Sequence, residues 1–507
     1  MTLINLRNLG VTMSEPLFSN LSITVDAGDR VGIVAANGRG KTTLLNCLAG
    51  RLEPTTGEIT RARGLRVGYV EQNGPANLLE VSFYEAVLQA LPKEQVASES
   101  WRVDVALDSL DVPDTMRERT LAQLSGGWQR LAMLVRVWVT EPDVLFLDEP
   151  TNHLDLAKIA LLEDWLNALP RDVPVIIASH DRAFLDAVCN RTLFLRQDQS
   201  QTYALPYSKA RAALDEVDAS DERRYQKEMK TAQQLRKQAA KLYNLGVNSG
   251  SDLLTVKTKQ LKARAEKLED SAKPGYRERS SGSIKLANRG IHAKVLLTLE
   301  DAAVTTPDGT LLFKTGQQWI CQGDRIVLLG QNGAGKTRLV EMIRRAIADQ
   351  AVGGTIKPTP SIVLGYSDQA LSNLGQKDTP LGMITRLFEL GEQRARTLLV
   401  GIGINIDMQG KEIGRLSGGQ KARLAMLVLR LTNPNFYLLD EPTNHLDIDG
   451  QEALEGELTA NEASCLLVSH DRSFVRSIGN RFWMIDRKRL VEVDGPEEFF
   501  EAARAQE

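Results

Sequence analysis

Two glycine-rich segments that each end in lysine and threonine are suited to binding phosphate groups. The second, GQNGAGKT at 330–337, has the spacing GxxxxGK[ST] and follows an apolar run that predicts a strand. Backbone N–H groups of such a loop surround phosphates at the start of a helix. We therefore expect Lys336 to reach the β- and γ-phosphates of a nucleotide and the Thr337 hydroxyl to hold Mg²⁺.

The first segment, AANGRGKT at 35–42, departs from this pattern at one position. Ala35 stands where the first glycine belongs, and it strains the loop by about 1 kcal/mol if that position requires a positive φ. Because alanine is small, we expect binding to survive. The loop residues predicted to hold nucleotide are Asn37, Gly38, Gly40, Lys41, Thr42 and Thr43, with Asn332, Gly333, Gly335, Lys336 and Thr337 in the second segment.

An octapeptide, DEPTNHLD, occurs at 148–155 and again at 440–447, each time about 105 residues after the loop lysine. Asp148 and Asp440 are predicted to bind Mg²⁺ together with the loop threonines. Glu149 and Glu441 are predicted to orient and deprotonate an attacking water. The alternative is that each pair is only a strand-end acid pair that caps a helix.

Two histidines and two glutamines also recur in matched positions. His180 and His470 each follow an apolar run, where a neutral imidazole can hydrogen-bond a γ-phosphate and respond to its loss. A single histidine in this setting is more often structural, but the matched pair favours function. Gln72 and Gln369 are predicted to join the Mg²⁺ and water ligands.

These repeated motifs lie at similar spacing, so the chain is one unit of about 200 residues written twice. His470 follows His180 by 290 residues, and Gln369 follows Gln72 by 297. Short apolar runs such as VLFLDE and VIIASH precede the motifs, with amphipathic segments between them. This pattern predicts an α/β fold with a buried parallel sheet, whose ligands lie at the carboxyl ends of the strands.

Each copy also contains LSGG, at 124–127 and 416–419, before a predicted helix. A helix that starts with small residues offers a second anion site, yet each copy already has a phosphate loop. The extra site is explained if it covers the nucleotide held by the other copy. We therefore expect a monomer whose two copies face each other head to tail and enclose two ATPs, with Ser125, Gly126, Gly127, Ser417, Gly418 and Gly419 as the covering residues.

The segment between the copies has a different composition. From 223 to 267 it contains twelve Lys or Arg and three acids, a local net charge of +9, although the whole chain is at −3. Apolar residues recur every three or four positions on both sides of NLGVNSGSD at 244–252. This predicts an antiparallel helical hairpin whose first arm is about 23 residues, roughly 35 Å. The alternative is a solvated spacer without a ligand.

Cysteine usage and hydropathy argue against secretion and membrane insertion. The four cysteines lie far apart without a CxxC motif, so we expect reduced core thiols. The N-terminus lacks a signal-peptide pattern, and no 18-residue apolar run occurs. The sequence therefore predicts a cytoplasmic protein.

Together these motifs resemble the ATP-binding cassette ATPases over both copies. The resemblance implies that site one uses Lys41, Thr42, Gln72, Asp148, Glu149 and His180 and is closed by Ser417 to Gly419. It implies that site two uses Lys336, Thr337, Gln369, Asp440, Glu441 and His470 and is closed by Ser125 to Gly127. Both sites then hydrolyse ATP with Mg²⁺. The aromatic residue that usually stacks on adenine has no clear counterpart, and selectivity for ATP over GTP stays open.

The extended DEPTNHLD and the charged hairpin resemble the ABC-F group. The resemblance implies cassettes at 1–204 and 291–507, joined by a linker at 205–290. It implies a partner, the ribosome, contacted near the tRNA exit site through rRNA and tRNA, in translation regulation or antibiotic protection. A transporter energy subunit is the alternative, since some importers also fuse two cassettes in one chain, but the basic hairpin argues against it. We expect no membrane domain in the chain. A DNA-repair ATPase fits less well, because such proteins insert long coiled coils or zinc modules.

Overall fold

The computed structural model describes residues 2–13, 15–71, 76–152, 154–249, 252–271, 284–290, 293–349, 354–368, 371 and 374–505. The chain divides into two compact units. One comprises Met1–Pro206 and Ser281–Glu507, and therefore contains both sequence repeats, and the other is Tyr207–Ser280.

The first copy pairs a small antiparallel sheet with a larger, mostly parallel one. Its strands are β1 (Thr2–Thr12), β2 (Pro16–Asp26), β3 (Arg30–Val34), β4 (Thr56–Arg61), β5 (Val67–Val70), β6 (Val144–Asp148), β7 (Val175–Ala178), β8 (Arg191–Phe194) and β9 (Gln201–Tyr203). Its helices are α1 (Lys41–Leu48), α2 (Phe83–Leu88), α3 (Lys93–Glu99), α4 (Trp101–Ser109), α5 (Asp114–Arg117), α6 (Gly126–Trp138), α7 (Leu156–Ala168) and α8 (Arg182–Val188).

The parallel sheet places the motifs of the first copy at one edge. Its strand order is β5-β6-β7-β3-β8-β9, and only β9 runs antiparallel to its neighbour. All five residues of β6 are buried, as expected for a strand covered on both faces. The glycine loop, the acid pair and His180 follow β3, β6 and β7, so they meet at the carboxyl ends of three neighbouring strands. The predicted α/β fold is confirmed.

A helical hairpin forms the separate unit. It consists of α9 (Tyr207–Ser249) and α10 (Asp252–Ser271). Arg236 pairs with Glu269, and Lys262 lies 5.6 Å from the Tyr243 ring centroid, so the two helices run antiparallel. Alanines at seven-residue spacing in α9, Ala232 and Ala239, are fully buried and allow close approach.

The helix bounds correct two expectations about this hairpin. The first arm is 43 residues, about 65 Å, instead of about 23 residues. The helix also continues to Ser249, through most of the segment predicted as a turn from 244. Gly246 and the polar residues around it suggested a turn, but a long helix packed against a partner tolerates their low intrinsic propensity, because tertiary contacts outweigh it.

The second copy repeats the architecture with a wider sheet. Its strands are β10 (Val295–Glu300), β11 (Ala303–Thr305), β12 (Leu311–Lys314), β13 (Gln317–Cys321), β14 (Arg325–Leu329), β15 (Ile356–Pro358), β16 (Leu364–Ser367), β17 (Phe436–Asp440), β18 (Cys465–Val468), β19 (Arg481–Asp486) and β20 (Arg489–Val493). Its helices are α11 (Lys336–Ala348), α12 (Pro380–Phe388), α13 (Glu392–Gly401), α14 (Ile406–Gln409), α15 (Gly418–Thr432), α16 (Ile448–Ala460), α17 (Arg472–Ile478) and α18 (Glu497–Ala505).

Both copies form their core around the helix that follows the glycine loop. In the first copy, Leu44, Leu45 and Cys47 of α1 share one buried cluster with residues of both sheets. In the second, Leu339 and Val340 of α11 do the same. The helix is thus fixed between two sheets, and its N-terminus is held at the carboxyl edge of the parallel one.

Residues 284–290 follow the hairpin and lie against the second copy. The Leu286 N–H donates to Glu457 Oε2 of α16 at 2.7 Å, and the Tyr437 hydroxyl of β17 donates to the Ala287 carbonyl. Ile284 and Leu286 join the buried cluster of that copy. Residues 284–290 therefore belong to the packing of the second copy.

The unpaired state of the cysteines and the hydropathy of the helices match the expectations from the sequence. All four cysteines are unpaired, and only Cys321 is not fully buried. Within the described residues, no helix has the length and apolar character needed to cross a membrane.

Candidate functional site

The two glycine loops adopt the same backbone geometry. Gly38 and Gly40 have φ of +79° and +91°, and Gly333 and Gly335 have φ of +81° and +104°. Gly40 and Gly335 precede α1 and α11 directly, so the lysine of each loop is the first helical residue. The sequence places glycine where the left-handed backbone requires it, and the helix N–H groups are left free for an anion.

Ala35 does not strain the first loop. Neither Ala35 nor its counterpart Gly330 has a positive φ. A Cβ at Gly330 would lie 3.3 Å from the end of the Ile485 side chain, a tight contact that a small shift of this side chain relieves. The condition under which we expected a cost of about 1 kcal/mol is therefore not met.

The loop lysines are buried but have different contacts. Lys41 Nζ lies 3.3 Å from Glu149 Oε1 and 2.5 Å from His180 Nε2. Lys336 Nζ instead donates to the carbonyls of Gly330 and Gln331 at 2.6 and 3.0 Å. Lys41 also donates to the Ala35 carbonyl of its own loop at 3.4 Å, so the two lysines differ in the added contacts of Lys41 with the glutamate and histidine.

The acid pairs lie at the ends of β6 and β17 with unusual backbone conformations. Glu149 and Glu441 have φ of +48° and +52°, which is costly for a residue with a side chain. Burial raises the pKa of Glu149, and burial with the nearby Asp440 raises the pKa of Glu441 to about 8. A carboxylate with a pKa close to neutral is suited to accept a proton from water.

Asp148 provides an oxygen suited to a cation. Its Oδ1 is buried without a hydrogen-bond partner, while the Tyr69 hydroxyl lies 3.4 Å from Oδ2. Burial raises the pKa of Asp148, and a hydrogen bond from Thr42 opposes that shift. In the described part of the chain no three His, Cys, Asp or Glu gather as a metal site. One carboxylate with a threonine and phosphate oxygens suits Mg²⁺, which seldom uses an all-protein cage.

His180 and His470 are mostly buried and neutral. Burial, followed by the positive charge of Lys41, lowers the pKa of His180 well below its usual range. Burial and Lys336 lower the pKa of His470 to about 3. His470 Nε2 lies 3.1 Å from Asn332 Oδ1, and the backbone N–H of His470 donates to Glu441 Oε2 at 3.3 Å. Each imidazole therefore stands beside its own phosphate loop and glutamate.

The Ser-Gly-Gly motif of the second copy meets the loop of the first. Ser417 caps α15 by accepting from the Gln420 N–H. A Cβ at Gly419 would lie 2.8 Å from Asn37 Nδ2, so only glycine allows this approach. Asn37 Nδ2 donates to the His445 carbonyl at 2.8 Å, and the Asn37 N–H donates to Asp447 Oδ2 at 2.9 Å. These contacts join the two copies at site one.

A single cavity of about 1130 Å³ contains both candidate sites. Residues from both loops, both acid pairs and both histidines line it, and so do Ser417, Gly418 and Gly419. Ser125, Gly126 and Gly127 do not line it, as far as the described ranges show. Ser125 caps α6, and Asp155 of the first copy nevertheless influences the pKa of Lys336 and His470. Gln72 and Gln369 lie outside the described residues.

Two ion pairs related by the repeat, both mostly shielded from solvent, join the copies. Arg182 pairs with Glu455 of α16, and Arg472 pairs with Glu163 of α7. Glu163 is 1% exposed and also accepts from Arg504 of α18 at 3.2 Å. Each arginine lies two residues after its histidine, so the histidine segment of one copy is anchored to a helix of the other.

Sequence reasoning missed Arg130, which holds the acid pair of site one. Its guanidinium is buried and donates to the carbonyls of Asp148, Glu149 and Glu71. Ala422 takes this place in the second copy. The arginine three residues after LSGG was visible in the sequence, but nothing local indicated that it reaches backbone carbonyls of another strand.

A family model described as ABC transporter matches residues 18–152 and 318–444 of this chain. The ABC transporter F family member 5 of Arabidopsis thaliana is 30% identical, over 94% of this chain and 74% of that protein. The probable ATP-binding protein YheS of Escherichia coli K12 is also 30% identical, over 94% of this chain and 78% of that protein.

Solved structures share the fold at lower identity. A complex of archaeal ribosomal stalk protein aP1 with the archaeal ribosome recycling factor aABCE1 matches with a TM-score of 0.64. Its identity is 18%, over 98% of this chain and 92% of that chain. A structure named RNase-L Inhibitor matches with a TM-score of 0.64 and 20% identity, over 98% and 92% of the two chains.

Proposed function

The chain belongs to the ABC transporter family, in its F group, and from that premise we propose that it is a tandem-cassette ATPase that acts on the ribosome. ATP binding closes the two cassettes on each other, and ATP hydrolysis allows them to separate again. The basic hairpin binds ribosomal RNA or tRNA. The observation that carries the ATPase part is the shared cavity, in which both loops, both acid pairs and both histidines meet.

ATP phosphates are held by the N–H groups of each glycine loop and by Lys41 or Lys336. Glu149 and Glu441 accept the proton of the attacking water, for which their raised pKa values suit them. The neutral imidazoles of His180 and His470 hydrogen-bond the γ-phosphate. Asp148 with Thr42, and Asp440 with Thr337, hold Mg²⁺, which neutralises phosphate charge when bound.

Closure involves α16, which contacts both cassettes. The Asp447 side chain accepts from the Asn37 N–H in site one and lies at the start of α16. Further along α16, Glu455 pairs with Arg182, and Glu457 binds residue 286 of the segment that leaves the hairpin. One helix therefore carries contacts to the nucleotide loop, to the other cassette and to residue 286.

The charge distribution along the hairpin supports an RNA ligand. Between 215 and 222 there are five acids and no Lys or Arg, whereas the net charge from 223 to 267 is +9. Lys257, Lys259 and Lys262 on α10 are exposed. Phosphate contacts from such a surface give affinity that depends on salt and little on sequence. Because the acids lie at 215–222, the attraction for phosphate is confined to the residues from 223 to 267. A spacer without a ligand has no need for such a division of charge.

Ribosome binding by a catalytically arrested variant tests the proposal. Glu149→Gln with Glu441→Gln removes the proton acceptor at nearly constant shape, so ATP stays bound and the cassettes stay closed. We expect the double variant to co-sediment with ribosomes in ATP and to remain in the supernatant without nucleotide. If it stays in the ribosome-free fraction with ATP, the ribosome part of the proposal fails, and recovery with membranes would favour a transporter subunit.

Charge reversal in the hairpin tests the RNA contact separately. The variant replaces four basic residues with glutamate, namely Lys257, Lys259, Lys262 and Arg264. It should bind ribosomes at least tenfold more weakly, because about four phosphate contacts are lost. Basal ATPase should persist. The matched control replaces the three lysines with arginine and keeps the charge. Equal binding by the reversed variant would support the spacer interpretation.

A further inference from the structure

The two nucleotide loops differ at the residue that follows the threonine. In the first loop this residue is Thr43, and in the second it is Arg338. Both side chains line the shared cavity. We propose that Arg338 binds the α-phosphate of the nucleotide in site two, so that site two holds nucleoside diphosphate more tightly than site one. This inference rests on the proposed nucleotide site.

Arg338 lies in the first turn of a helix, where a positive side chain is stabilised by a bound anion. It is the third residue of α11, after Gly335 as N-cap, and no acid lies in the first turn. A positive side chain at the N-terminus of a helix is unfavourable in the field of the helix dipole. The Arg338 N–H also lacks a helical partner, because the first such bond is donated by Leu339 to Gly335. A phosphate satisfies both groups.

The Arg338 guanidinium has no partner among the described residues. Among the residues that the structure describes, none forms an ion pair or a hydrogen bond with the Arg338 side chain, which is exposed to the cavity. The acid one turn further along, Glu341, pairs with Arg344 and Arg345 at 2.6 and 2.8 Å. The nearest carboxylate on α11 is therefore already engaged by two other arginines.

The α-phosphate is the group left for Arg338. A loop lysine reaches the β- and γ-phosphates, and the following threonine serves the cation. The next residue lies further along the helix, beside the remaining phosphate. The first loop has an arginine too, but Arg39 Nη1 lies 3.4 Å from Gln197 Oε1, and Arg39 is not among the cavity-lining residues.

A charge-assisted hydrogen bond from Arg338, in place of the hydroxyl contact of Thr43, should raise the affinity of site two for ADP about tenfold over that of site one. The test uses 8-azido-ADP photolabelling of the full-length chain, with the labelled cassette identified by peptide mapping. We expect half-saturation of the second cassette at about tenfold lower ADP than the first. Arg338→Thr should remove this difference, Arg338→Lys should retain part of it, and Thr43→Arg should tighten the first cassette.

AMP competition identifies the phosphate. AMP carries only the α-phosphate, so Arg338→Thr should weaken competition by AMP, ADP and ATP at the second cassette to a similar extent. A loss confined to ATP would place Arg338 at the γ-phosphate and overturn the assignment. Unchanged ADP half-saturation in Arg338→Thr would overturn the inference while leaving the proposed function intact. If neither cassette is labelled, the proposed nucleotide sites themselves fail.

Discussion

Replacing Glu163 with glutamine should weaken closure of the two cassettes more than any exposed charge change nearby. Glu163 lies in α7 of the first cassette and receives hydrogen bonds from Arg472 and Arg504 of the second. Arg472 is itself 15% exposed, so the variant leaves a nearly buried cation without its carboxylate. Breaking a buried pair in this way costs about 3–5 kcal/mol, and glutamine retains one acceptor oxygen.

We therefore expect about 3 kcal/mol, which is roughly a hundredfold shift of the closure equilibrium. The assay is ATP-dependent fluorescence transfer between dyes on the two cassettes, in the arrested Glu149→Gln, Glu441→Gln background. Because closure encloses two ATPs, Glu163→Gln should require about tenfold more ATP for half-maximal closure. Glu455→Gln, which removes the related pair with Arg182, should have a similar effect.

Asp164→Asn provides the matched control at the adjacent position. Asp164 is 62% exposed and lies 3.3 Å from Arg504 only, a surface pair worth about 0.2–1 kcal/mol. Equal ATP dependence of Glu163→Gln and Asp164→Asn would refute the argument that burial of the Glu163 network holds the cassettes together.

Two further predictions concern the chemistry of the sites and their closure. His470 has a pKa of about 3 because it is buried beside Lys336, so it stays neutral in the folded protein as the pH falls from 7 to 5. In the unfolded chain the same histidine gains a proton near pH 6.5. The free energy of unfolding therefore decreases as the pH falls through this range. Histidine-selective NMR of the nucleotide-free protein, assigned with His470→Gln, checks this, and a midpoint near 6.5 would contradict it. Gly419→Ala should push Asn37 off the His445 carbonyl and weaken site-one closure about fivefold, the value of one hydrogen bond. Gly456→Ala in α16, where a Cβ meets nothing within 4 Å, should leave closure unchanged.

Local pattern was sufficient to predict the α/β fold of the two copies and to propose most of the candidate residues. The glycines with positive φ, the lysine at the helix start and the acid pair after a buried strand are neighbours along the chain. The backbone geometry of such segments is determined locally. Because parallel strands bring their carboxyl ends to one edge, segments separated by a hundred residues could be placed together from the strand pattern alone.

Contacts across the molecule were decided only by the tertiary structure. The pairing of Glu163 with Arg472 and Arg504 joins residues about 300 positions apart, and nothing in α7 marks one buried acid among its polar residues. The same holds for Arg130 of α6, whose guanidinium reaches the Asp148 carbonyl at the end of β6, and for Asn37, which binds the opposite cassette.

The sequence by itself determined that two phosphate-binding units are repeated around a basic helical segment, because glycine spacing, apolar runs and charge are local properties. The tertiary structure decided the left-handed backbone of Glu149 and Glu441, the true length of α9 and the side chains that join the cassettes. Those features depend on packing between distant segments, where burial and close approach outweigh local propensity.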